Sequence, residues 1–306
     1  MSEKTQNQMF GFGQKISFGL GSYAQWFING AFNTWVFSFY FSAVKVNILL
    51  IMLAYVIWTA WNAINDPLIG YFSDKTHTRF GRRKPYIMIG AIPILIIEII
   101  VWLPRPGNDI LNFFYLLIML MCYDTFYTMV ALPYDSLFPE LYTSIEERGQ
   151  VNTIKQIFSI IGLILAFLIP GFLIGDSLAD PTGYLLNGIV TSVLVGIPLL
   201  VSIIFGVRER EEFKEDYKHK FTYVEALKYS LKNKGFVLYT GMFFLYEYIL
   251  LVLSTTVPLY GEHVLNVDST FETSLLLGFL FIVGLITVII WKKLDFLLGS
   301  RKAYAI

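Results

Sequence analysis

The 306-residue chain is 56% hydrophobic and 17% aromatic but only 15% charged, where a soluble domain carries about 25%. Lys plus Arg and Asp plus Glu number 23 each, so there is no basic excess to recruit a nucleic acid. A mean hydropathy of +0.60 indicates an all-α polytopic membrane protein, and Cys122, the one cysteine, excludes a disulfide within the chain or a cysteine–metal framework.

Residues 1–14 are polar and lack the basic start, short apolar run and small-residue cleavage site of a signal peptide, so the first membrane helix is expected to target the chain. Spans of roughly 20 apolar residues are predicted at 16–44, 47–73, 85–104, 109–139, 150–174, 183–207, 235–261 and 271–293. Lys75, Arg79, Arg82, Arg83 and Lys84 fill the short loop after the second span, and Lys292, Lys293, Arg301 and Lys302 follow the last. The alternate loops instead carry Lys45, Arg105, Asp109, Asp176, Asp180, Glu262, Asp268 and Glu272. Basic loops stay inside, which predicts a cytoplasmic N-terminus in a cell membrane.

Residues 208–234 form the long polar connection, in which Val224, Leu227 and Leu231 have near-helical spacing. That spacing suits either a helix on the inner membrane surface or a solvated linker helix. The segment divides a six-helix bundle, 1–207, from a second part, 235–306. The ending GSRKAYAI echoes GRRKPYIM at 81–88: Gly81, Arg83, Lys84 and Tyr86 recur as Gly299, Arg301, Lys302 and Tyr304. Both copies follow an acid, Asp74 and Asp295, as in a parallel repeat of six-helix halves. The chain is therefore expected to hold an N-half and the first two helices of a C-half, with four further helices needed to complete a twelve-helix protein.

Three segments carry a resemblance: KISFGLGSYAQWF in the first span, WNAINDPLIGYFSDKTHTRFGRRKP around the second, and FYTMVALPYDSLFPELYTSIEERGQ in the fourth. Together they resemble the glycoside–pentoside–hexuronide cation symporters, the melibiose-permease-like branch of the major facilitator superfamily. The resemblance covers essentially the whole chain. It implies the major facilitator fold and transport of a sugar or related small polar solute coupled to Na⁺ or H⁺, with no other cofactor.

Asp66, inside an apolar run, is costly and marks a functional position. The resemblance places Asn65, Asp66 and Thr128 at its cation site and Asn62 where the branch has a second Asp. Asn62 and Asp66 are four apart and share a helix face. With one carboxylate and two amides the ligand set favours H⁺ slightly over Na⁺. For the solute, Gln25, Trp26, Asn29, Tyr127, Asp124, Asp135 and Lys155 are candidate wall residues. Gln25 and Trp26 replace the branch's Lys–Asp pair, and Ala131 replaces its substrate-binding Asp, so a galactoside held by two carboxylates is not supported. For Asp124, solute binding or coupling is the first reading and pairing with Lys155 on the next span the second. Glu98 and Glu247 are further buried-acid candidates facing either a cavity or an interface.

Gly70, Asp74, Gly81, Arg82 and Arg83 match the superfamily's loop signature, which implies charge contacts between half-bundles that close one side of the membrane. The acids Asp66 and Asp74 lie about 12 Å apart along a helix, too far to share a Mg²⁺-diphosphate, so an enzyme of the membrane prenyltransferase kind is excluded. Alternatives to sugar symport are a lysolipid transporter of the same fold and a non-transporting remnant or receptor.

Overall fold

The computed structural model describes residues 10–76, 78–104, 106–174, 178–210, 223–265 and 270–298. The helices are α1 (Phe12–Ser38, running on through a π-helical turn at Phe39–Ala43), α2 (Ile48–Lys75), α3 (Lys84–Ile100), α4 (Asp109–Leu141) and α5 (Ile145–Leu173). They continue as α6 (Pro181–Val201, prolonged by a π-helical turn at Ser202–Gly206), α7 (Tyr223–Lys232), α8 (Lys234–His263) and α9 (Thr270–Leu298). By length and apolar composition, Ile48–Lys75, Asp109–Leu141, Ile145–Leu173, Pro181–Gly206 and Lys234–Leu253 suffice to cross a membrane. The protein is an all-α, multi-pass membrane protein.

Side-chain caps set the helix starts. Asn47, Asn108, Asp180 and Asn233 each accept from amides in the first turn of α2, α4, α6 and α8. Ser144 accepts from the Glu147 amide at 3.2 Å, so α5 begins at Ile145 rather than at the predicted 150, and its first turn absorbs the charged residues IEER. The Glu147 carboxylate then takes the Phe10 amide at 2.8 Å and lies 3.3 Å from the Lys15 ammonium, tying the start of α1 to α5. The linker's helical spacing is realised as α7. The echo at 299–306 and the side chain of Asp295 lie outside the described residues, as do His77, Arg105, Asp176, His219 and Asp268.

Without a hydrophobic drive between helices in lipid, close approach depends on small residues. On α5, Gly162 lies directly against the Tyr23 carbonyl and Phe27 amide of α1. On α6, Gly188 lies against the Glu98 carbonyl and the Trp102 indole of the α3 end. Aromatic pairs fill the interior, among them Phe18 stacked on Tyr134 at 4.5 Å and Phe32 on Tyr123 at 3.5 Å. Helix α9 packs on α5, while α8 presents exposed apolar residues such as Leu238 and Phe244.

Candidate ion and solute site

Helices α2 and α4 run parallel, and a ladder of contacts with a constant register joins them. Asn62 donates to Asp124 Oδ1 at 2.6 Å, Thr128 donates to Asp66 Oδ1 at 2.7 Å, and Gly70 faces Leu132. Asn65 adds a bond to Asp124 Oδ2 at 3.0 Å, and the Trp61 indole bonds Thr125 at 3.1 Å. Asn62 and Asp66 are one turn apart on α2, as Asp124 and Thr128 are on α4, so the two bonded pairs form adjacent rungs one turn apart. Asp124, Asn65 and Thr128 are buried; Asp66 and Asn62 are partly exposed. The two carboxylates are close enough to interact electrostatically.

Sequence reasoning grouped Asp124 with the solute residues; the fold sets it beside Asp66 as a second carboxylate of the same cluster. The helical spacing of Asp124 and Thr128, identical to that of Asn62 and Asp66, was the signal for it. The arrangement offers carboxylate, amide and hydroxyl oxygens in one place, the donor set of a hard cation.

Asn62 and Asp124 also line a cavity of about 810 Å³ between the first bundle and α8. Of the solute candidates, Trp26, Asn29, Asp124 and Tyr127 line it. Asn33 lines it as well and donates to Asn29 at 2.6 Å. Tyr55, Trp58, Tyr123 and, from α8, Glu247 and Tyr248 add to the polar and aromatic lining. Gln25 faces a small apolar void beside Tyr127 instead. Lys155 bonds Asp135 at 2.9 Å rather than Asp124, beneath the rings of Tyr134 and Phe138, and neither member of the pair lines the cavity.

The loop after α2 forms a compact charge cluster. Arg83 reaches Asp74 at 2.8 Å and Glu140 at 2.7 Å, and Arg82 reaches the same Glu140 oxygen at 2.8 Å. Both arginines are buried. Glu209, just past α6, accepts the backbone amides of Arg82, Arg83 and Lys84 at 2.7, 2.6 and 2.9 Å, placing a carboxylate on the N-terminus of α3. Gly81 makes this possible: it has φ +106°, and a Cβ there would collide with the Glu209 carboxylate. These partners all come from the first bundle and the residues just after it. Glu140 and Glu209 were not singled out from sequence, although a carboxylate one residue after Pro139 and another after α6 both stand beside a loop rich in arginine.

Comparison with known proteins agrees with this architecture. Residues 17–306 match the family described as MFS/sugar transport protein, and the chain belongs to that family. Its members are membrane transporters rather than enzymes. An uncharacterized symporter of Synechocystis is 32% identical over 223 residues, covering 70% of this chain and 40% of the relative. The isoprimeverose transporter of Lactiplantibacillus pentosus is 21% identical over 292 residues, 94% of this chain and 60% of its own. The sodium-dependent lysophosphatidylcholine symporter 1 of Mus musculus is 21% identical over 335 residues, 98% and 62% respectively. The chain spans less than two thirds of the length of each of these relatives.

Proposed function

We propose that the protein is a cation-coupled symporter of a sugar or similar small polar solute, with Na⁺ held between Asp66 and Asp124. One observation carries the reading: Asn62 and Asp124 belong both to the ion cluster and to the cavity wall. An ion seated there fixes the orientation of side chains that a solute touches, so occupancy of one site changes affinity at the other. The second carboxylate moves the preference from H⁺, drawn from a single Asp, to Na⁺.

Aromatic faces beside amides, Trp26 and Tyr127 with Asn29 and Asn33, suit the apolar faces and hydroxyl edges of a sugar. The lysolipid alternative is kept alive by the apolar upper wall, where Phe37, Ile51 and Met52 face the same space. The N-terminus and the 74–84 loop lie on the cytoplasmic side of the cell membrane, and the Asp74–Arg83–Glu140 cluster braces that end. The full transport cycle rests on alternating access between two half-bundles.

The test is a tryptophan-fluorescence titration of the purified chain in lipid nanodiscs, since Trp26 and Trp58 line the cavity. Disaccharides, pentosides and lysophosphatidylcholine are each titrated in Na⁺, in choline, and across pH. A sugar that binds more tightly in Na⁺ supports the reading. Lysophosphatidylcholine as the sole ligand replaces the solute class, and tightening by acid but not Na⁺ replaces the ion. Binding of none of them by folded protein contradicts a symporter role for this chain.

A further inference from the structure

A second group of polar side chains, apart from the Asp66 cluster, is closed inside the bundle and bonded to none of the described residues. Glu98 on α3 and Asn187 and Thr191 on α6 are each 0% exposed, and Tyr123 on α4 is 2% exposed. Among the described residues, both Glu98 carboxylate oxygens, both Asn187 amide atoms, Thr191 Oγ1 and Tyr123 Oη have no hydrogen-bond partner. Native interiors satisfy such groups, and an unpaired buried carboxylate is among the most costly to leave bare.

Register shows that they converge. A small void lower in the bundle is lined by Ile94, Tyr127 and Val195, among others. One helical turn further along the same faces come Glu98, Tyr123 and Thr191, with Asn187 a turn beyond. The seam is fixed at this level by Gly188 lying against the Glu98 carbonyl and by Ser192 donating to the Leu95 carbonyl at 2.9 Å. Among the described residues no basic side chain forms an ion pair with the carboxylate: α4 and α6 contain no Lys, Arg or His, and α1 and α3 carry only Lys15 and Lys84, in their first turns.

We infer that Glu98, Asn187, Thr191 and Tyr123 form a second Na⁺ site within the α3–α4–α6 seam. The unpartnered atoms are oxygens with the exception of the one Asn187 nitrogen, and an oxygen set around a single carboxylate is what a small hard monovalent cation takes. The Tyr123 and Thr191 hydroxyls and the Asn187 amide carry donors of their own, yet among the described residues none of the four groups bonds another; an ion between them would meet their oxygens together. Tyr123 also lines the solute cavity, so the site borders the same space as the Asp66–Asp124 cluster.

The experiment measures ²²Na⁺ binding to the chain in nanodiscs, together with the shift in melting temperature in Na⁺ against K⁺ and choline. The double variant Asp66→Asn/Asp124→Asn is expected to keep a Na⁺-specific binding event and stabilisation. Adding Glu98→Gln should abolish both, and Thr191→Val should weaken the affinity by about tenfold. Should Glu98→Gln fail to fold, Thr191→Val decides. Absence of Na⁺ binding in the double variant overturns the inference, as does unchanged binding with Thr191→Val or in a folded Glu98→Gln protein. A site that responds to acid but not to Na⁺ also overturns it. The result is separable from the proposed function: were Asp66 and Asp124 not ion ligands, the double variant would bind like wild type while Glu98→Gln still abolished binding.

Discussion

Asp124 accepts from Asn62 and Asn65 while Thr128 holds Asp66, so each carboxylate is oriented by a side chain from the opposite helix. Replacing Thr128 by Val removes the donor and leaves a carboxylate oxygen unpaired, a loss of about 1–3 kcal/mol. The Na⁺ concentration for half-maximal effect on solute binding should therefore rise roughly five- to 150-fold. An unchanged midpoint would place Thr128 outside the ion site. Asp66, Asn62, Asn65 and Thr128 were legible because an acid and amides in an apolar run stand out, and because motifs carried them. The pairing of Asp124 with α2, and of Lys155 with Asp135, was not legible. Both depend on which helix lies beside α4 at a given level, and hydropathy does not encode that.

The N-terminus of α3 is an element-scale device: three amides that no helix of its own can satisfy are met by Glu209, from beyond α6. Glu209→Gln keeps the shape and removes the charge, costing about 1 kcal/mol of helix-terminus stabilisation. Hydrogen–deuterium exchange at Arg82, Arg83 and Lys84 should then speed up about fivefold. Gly81→Ala should do more, because it adds about 1–2 kcal/mol of left-handed backbone strain to a collision with Glu209. Unaltered protection in both variants would refute the capping role. Close helix approach makes a parallel prediction. Gly162→Val, wedged against the α1 backbone, should lower the melting temperature and broaden the size-exclusion profile, while Gly241→Ala, with open space around it, should change neither. Helix positions were largely legible from apolar runs of membrane length; the start of α5 was not, because charged IEER masked a Ser144-capped turn.

Across the whole molecule, the polar cluster, the cavity and the charged loop are strung along α2 and α4. Motion of one helix pair therefore reaches all three. Asn62 bonds Asp124 within the cavity wall, Asp66 lies one turn on, and Asp74 meets Arg83 at the end of α2. Coupling between ion and solute is reciprocal in free energy, so a solute that binds tighter in Na⁺ must tighten Na⁺ by the same factor. The fold class and family were legible in the sequence, whereas the solute was not. The cavity is shaped by side chains from helices distant in the chain, including Glu247 and Tyr248 of α8, whose placement no local pattern specifies. The most direct measurement is the solute affinity of Asp124→Asn with and without Na⁺, beside wild type. The account predicts that wild type binds its solute more tightly in Na⁺ and that Asp124→Asn binds with one affinity in both conditions. Full Na⁺ dependence in the variant would contradict the assignment of Asp124 to the ion site.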